Sequence, residues 1–259
     1  MIDFHNHVLP NLDDGSTSMD MSVSMLETAS SQGIKTVVNT IHFQHPKMEN
    51  KNIDYDYVRK IKDELVLNIK KKDIDVDIKL AAEVYYLPNL CDLIDNPLLT
   101  INNYMLVEFP MAIIPPNYLD TFFKLKVNGC TPILAHPERY RVFQDDVDSL
   151  SKCLDIGVVF QLDAGSLIGH FGDLTRKSAF EMISRGYCHI IGSDAHSNLK
   201  RNFCLQEAYD IIGSFDKDAI ELLKKNSENI VNGENNLNQV KVSMKRNLLS
   251  FLMKKMKIT

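Results

Sequence analysis

Residues 1–16, MIDFHNHVLPNLDDGS, place a short apolar run directly before His5-Asn6-His7 and then set an aspartate pair, Asp13 and Asp14, ahead of a glycine. Residues i and i+2 of a strand point to the same face, so this spacing lets two imidazoles converge on one ion. What the chain folds into depends on whether the device recurs.

It recurs at the ends of further strands. Seven apolar or β-branched runs, MIDF, KTVVNT, DIKLAAE, YMLVEF, PILAH, VVFQLD and HIIGSD, alternate with longer helical patterns. STSMDMSVSMLETASSQG starts on polar capping residues and stops at Gly33, and LTRKSAFEMISRG stops in the same way at Gly186. Repeated units of strand, loop, helix and glycine predict parallel strands. Nothing after the first strand resembles a glycine-rich phosphate loop, which favours a closed or distorted barrel over an open doubly wound sheet.

Barrel chemistry gathers at the carboxyl ends of the strands. Those ends carry His5 and His7, His42, Glu83, Glu108, His136, and Asp194 with His196, so six of the seven runs finish on a nitrogen or oxygen ligand. One such histidine would be an ordinary loop residue; six ends alike are not. The set exceeds what a single ion takes, and a carboxylate such as Glu83 can bridge neighbours, so two or three divalent ions are expected. With no thiolate or thioether among the candidates, the set suits manganese, zinc, iron or magnesium and does not single out one of them; manganese is taken as the first expectation, with zinc or iron as alternatives.

Bulk properties bound the rest. At 259 residues and 44% hydrophobic the chain can bury one core, which suits a single barrel of about 200 to 250 residues. We read residues 1–234 as the barrel and 235–259 as a basic tail expected to be helical. That tail holds six Lys or Arg and no acid, which leaves the body at −11 against −5 for the whole chain. An acidic body argues against nucleic acid as a partner. The tail admits an amphipathic helix at a membrane surface or a partner, although a solvated terminal helix is the simpler reading. No signal peptide and no apolar run of membrane-spanning length is evident, so the expected location is the cytoplasm.

The five cysteines are odd in number and widely spaced, as expected of reduced packing thiols. A cysteine phosphatase loop, C-x5-R, would need an arginine six residues after one of them. Pro97, His136, Val159, Asp194 and Asp210 stand there instead.

In order, HNHVLPNLDDG, TIHF, AAEVYY, VEFP, LAHPERY and GSDAH resemble the polymerase-and-histidinol-phosphatase (PHP) superfamily and, within it, the bacterial capsule-type protein-tyrosine phosphatases. The likeness runs from residue 1 to about 232. It implies a distorted seven-stranded α/β barrel, (β/α)7, with a trinuclear metal centre whose ligands match His5, His7, Asp14, His42, Glu83, Glu108, His136, Asp194 and His196. Asp13 could serve in place of Asp14. It also implies phosphate-binding positions at Arg139 and Arg201, two residues that could otherwise be surface ion pairs, Arg139 with Glu138 for instance.

The activity implied is metal-dependent hydrolysis of phosphotyrosine. The implied partner is the tyrosine-rich tail of a bacterial tyrosine autokinase governing capsule or exopolysaccharide export. A small-molecule phosphatase, such as one acting on histidinol phosphate, is the alternative. Phe43, Tyr85, Tyr86, Phe109 and Tyr140 each follow a metal or phosphate position closely, and could receive an aryl ring or pack the barrel rim.

Overall fold

The computed structural model describes residues 1–48 and 53–243. Seven strands, β1 (Ile2–Asn6), β2 (Thr36–Phe43), β3 (Asp77–Tyr85), β4 (Tyr104–Glu108), β5 (Thr131–Ala135), β6 (Val159–Asp163) and β7 (Ile190–Gly192), pair in chain order, all parallel. The two edges meet at the site end, where the His7 amide donates to the Ala195 carbonyl at 2.8 Å and the Asp194 amide to the His5 carbonyl at 2.7 Å. This is the distorted, nearly closed barrel expected from the alternating pattern. Gly192 makes the closure feasible, because a Cβ there would lie 2.5 Å from the Cβ of His5.

Nine helices are described: α1 (Met19–Ser31), α2 (Tyr55–Lys70), α3 (Tyr118–Val127), α4 (Arg141–Asp145), α5 (Ser151–Ile156), α6 (Ala164–Ile168), α7 (Asp173–Arg185), α8 (Leu205–Gly213) and α9 (Lys217–Val231). Local chemistry sets their ends. The Ser18 hydroxyl accepts from the Met21 amide and Asp54 from the Tyr57 amide, each satisfying an otherwise orphaned N–H of the first turn. Gly186, at φ +86°, ends α7 in the left-handed conformation that glycine tolerates best.

Period-2 alternation then sorts the side chains. Val38, Ala81, Leu106, Ile133, Val159 and Ile190 fill the barrel interior with Phe4 and Ile230, while the opposite strand faces pack on the helices. One or two steps nearer the carboxyl end, the same inward faces carry polar groups. No described helix is long and apolar enough to cross a membrane. Residues 235–243 run without helix and bury Val240 and Val242. The remainder of the tail, 244–259, and with it the expected basic helix, lies outside the described residues.

Candidate metal centre

Alternation alone delivers His42, Glu83 and Glu108 to the interior, two or four residues along the same faces as Val38, Ala81 and Leu106. Three other residues, His5, His136 and Asp194, arrive by irregular backbone. Between Asp3 and Asn6 the β1 register shifts against β2, and this bulge lets Phe4 join the inner cluster while the next residue, His5, reaches Glu83 and Asp194. His136 follows the inward Ala135 yet also turns inward, with its backbone at φ +35°. Asp194 likewise sits at φ +49°. Positive φ in residues with a Cβ costs about 1 kcal/mol or more and concentrates at functional sites.

These side chains form three overlapping groups with ligand atoms within 4.8 Å of one another: His5, His7, Glu83 and Asp194; His7, Asp14, His42 and His196; and His42, Glu83 and Glu108. His5 Nε2 lies 3.2 Å from Glu83 Oε2 and 3.4 Å from Asp194 Oδ1. Asp14 Oδ1 lies 3.3 Å from Nε2 of both His42 and His196. His42 Nδ1 is 3.3 Å from Glu83 and 3.2 Å from Glu108, and His136 Nε2 is 2.9 Å from Glu83 Oε1. All nine expected ligand positions therefore come together at one end of the barrel.

The two adjacent aspartates divide. Asp13 is buried and its Oδ2 faces the outer nitrogen of His7, Nδ1, at 2.7 Å, while also accepting from the His42 amide at 3.1 Å. Asp14, half exposed, is the one turned to the cluster. Gln161 Oε1 meets His5 Nδ1 at 2.9 Å, and the Asp194 carbonyl accepts from His196 Nδ1 at 2.9 Å. Such outer partners fix the tautomer and leave Nε2 facing inward, as in metal sites generally.

The donor set suits cations. Buried His42 Nδ1 and Glu108 Oε1, although 3.2 Å apart, are not aligned as a hydrogen bond and have no other partner, which is costly unless something else fills their valence. Without a cation the pocket gathers protons. Burial lowers the pKa of His5, but Glu83 and Asp194 outweigh it and hold the imidazole at about 9. His42 behaves likewise at about 10, burial being outweighed by Glu83, Asp14 and Glu108. Glu108 is pushed up to about 7 by burial and by Glu83. Carboxylates that raise their neighbours' proton affinity in this way would bind divalent ions instead.

Neither arginine is a surface pair with Glu138. Arg139 Nη1 donates to Asp194 Oδ2 at 2.6 Å and to Asp163 Oδ2 at 3.4 Å; Arg201 Nη2 reaches the same Asp194 oxygen at 2.5 Å. Glu138 is fully buried, accepting from Ser166 Oγ and the Asp163 amide. Both arginines line a cavity of about 140 Å³ together with Asp14, His42 and His196.

Most of the candidate aryl-binding residues are packing residues. Phe43, Tyr86, Phe109 and Tyr140 are all buried, Tyr140 accepting from the Phe109 amide. Only Tyr85 stays half-buried, edge-on to His45 at 5.2 Å between ring centroids. His45 and Asp163 are neighbours of the site that sequence reasoning passed over. His45 lines the cavity with Nε2 3.6 Å from Glu108, on a turn that no periodicity marks. Asp163, at the end of β6, was visible by the same rule as the others. Burial pushes the thiols of Cys130 and Cys153 up to about 11, as suits protonated packing residues.

A parallel seven-stranded barrel whose rim carries this constellation is a scaffold with a cluster of His, Asp and Glu side chains able to hold metal ions. Over residues 1–232 the chain matches the family described as capsular polysaccharide synthesis, CpsB/CapC, and it belongs to that family. It is 33% identical over 213 residues to the putative tyrosine-protein phosphatase CapC of Staphylococcus aureus, covering 81% of this chain and 82% of that one. It is 31% identical over 253 residues to the tyrosine-protein phosphatase YwqE of Bacillus subtilis (strain 168), covering 96% and 98%. A solved structure from work on YwqE and on CpsB of Streptococcus pneumoniae, described as unique metal-dependent tyrosine phosphatases, superposes with a TM-score of 0.86 at 28% identity, covering 95% of this chain and all of that one. Histidinol phosphate phosphatase from Lactococcus lactis, complexed with zinc, histidinol and phosphate, shares the fold at a TM-score of 0.51 and 12% identity, with 94% and 98% covered.

Proposed function

We propose that this protein hydrolyses phosphotyrosine on a protein substrate, with His5, His7, Asp14, His42, Glu83, Glu108, His136, Asp194 and His196 holding two or three divalent ions, manganese foremost. The observation that carries the reading is that three overlapping ligand groups lie beside two arginines, and that both arginines share the carboxylate of Asp194, a member of one of those groups. Bound divalent ions would supply Lewis acidity and a hydroxide nucleophile at neutral pH, because coordination lowers the pKa of water from 15.7 to about 7.

The chain's own residues do the rest. Arg139 and Arg201 present planar N–H edges to the non-bridging phosphate oxygens, a geometry that lysine cannot copy. Burial disfavours the charge on Arg139, but Asp194 and Asp163 outweigh it and keep the guanidinium protonated. Asp13 holds a proton on His7 Nδ1, leaving Nε2 as the ligand atom. A tyrosine leaving group departs as a phenolate of pKa about 10, so it needs less proton donation than an alkoxide.

The substrate we infer is the tyrosine-rich tail of a tyrosine autokinase of capsule or exopolysaccharide export, met in the cytoplasm; the relatives' names support a phosphotyrosine protein as substrate and the family description supports the capsule setting. Comparing a phosphotyrosine peptide, histidinol phosphate and single-stranded DNA as substrates after controlled metal loading tests the reading. Phosphotyrosine should be turned over fastest.

A further inference from the structure

Phe171 lies on residues 169–172, Gly-His-Phe-Gly, which link α6 to α7. Its ring centroid is 4.4 Å from Cζ of Arg139 and 5.8 Å from Cζ of Arg201. Guanidinium groups are attracted to the negative face of an aromatic ring at such distances. The two arginines come from different parts of the chain, one after β5 and the other after β7. Asp194 Oδ2 and this ring are the features they share.

The surroundings fit the ring closely. A Cβ on Gly165 would lie 3.0 Å from Phe171 Cε2, so a larger residue there would push the ring away. Buried Glu138, next to Arg139 in sequence, accepts from Ser166 Oγ of α6 at 2.7 Å and from the Asp163 amide at 2.9 Å. Gln144 Nε2 donates to the Glu138 carbonyl at 2.8 Å and to Thr175 Oγ1 of α7 at 3.2 Å. The turn that bears Arg139 is therefore tied to the helices on both sides of Phe171.

A phosphate arriving between the arginines competes with Asp194 for their N–H groups. As those bonds are given up, the ring still restrains both guanidinium planes. We propose that Phe171 is a positioning residue for the phosphate-binding end of the site, holding Arg139 and Arg201 in a common orientation; the proposal rests on the reading of these arginines as phosphate donors.

The test uses the full-length, metal-loaded enzyme with p-nitrophenyl phosphate as substrate and inorganic phosphate as inhibitor. Phe171→Leu keeps an apolar side chain but removes the π face, and Phe171→Tyr keeps that face. Phe171→Leu should weaken phosphate inhibition and lower kcat/KM by about tenfold with metal content unchanged, and Phe171→Tyr should stay within about twofold of the parent. Parental inhibition in Phe171→Leu, or equal loss in both variants, would overturn the proposal. Arg139→Ala, measured alongside, separates the two layers. If it weakens inhibition while Phe171→Leu does not, only the role of Phe171 falls; if it has no effect either, the arginine reading falls with it.

Discussion

Asp13 holds the Nδ1 edge of His7 at 2.7 Å, so that the opposite edge, Nε2, stands 3.4 Å from both Glu83 and Asp194. Adjacent aspartates thus face different groups, and substitutions should separate them. Asp13→Asn should weaken metal affinity about 10- to 100-fold without removing a site, whereas Asp14→Ala should lower the saturating metal content by about one ion per chain. Elemental analysis and metal titration measure both. A lower stoichiometry in Asp13→Asn with a full complement in Asp14→Ala would exchange the assignments.

His136→Ala and Asp194→Ala should remove most phosphatase activity and leave circular dichroism largely unchanged, since each side chain sits at the rim among the proposed ligands and not in the interior packing. Near-parental turnover in both would show that the chemistry lies elsewhere.

Loss of Arg139 or Arg201 should cost about 1.5 to 3 kcal/mol in processing of phosphate monoesters and weaken binding of product phosphate. Arg→Lys at either position should recover only part of that. Steady-state kinetics with phosphate as inhibitor reports both effects, and unchanged constants in an alanine variant would remove that arginine from the site.

His189 supplies a pH test away from the metal site. It is buried, with Nδ1 accepting from the Phe160 amide at 3.0 Å, and burial lowers its pKa from 6.5 to about 4. The folded-state pKa lies below the unfolded one, so the unfolded chain binds the proton first on acidification. The stabilisation is complete above about pH 6.5 and is lost as pH falls from there through about 4, by roughly 3 kcal/mol in total. Denaturant unfolding of His189→Asn should show a shallower loss of stability between about pH 7 and about pH 5 than the parent. Parallel pH profiles would contradict this.

Much of the architecture was legible in the sequence because the physics behind it is local. The strands that carry His42, Glu83 and Glu108 near their carboxyl ends alternate regularly, so inward polar positions could be read from inward apolar ones. His5 and His136 were found as residue types at strand ends, but their routes inward were not legible. One depends on a bulge and the other on a positive φ, and neither leaves a mark in periodicity. Phe171 belongs to no strand end, and its approach to two arginines exists only once β5, β7 and the α6–α7 link are assembled. The aromatic residues were ambiguous for a different reason: following a ligand in sequence says nothing about which face of the rim a ring occupies. Of those five, Tyr85 alone is not buried, and it stands edge-on to His45, which lines the cavity.

The most direct test of the central claim compares kcat/KM for a phosphotyrosine peptide, the matching phosphoserine peptide and histidinol phosphate, all with the same manganese-loaded enzyme at one pH. Phosphotyrosine should give the highest value, lost on chelation and restored by metal. A clear preference for histidinol phosphate, or phosphotyrosine turnover that survives complete metal removal, would contradict it.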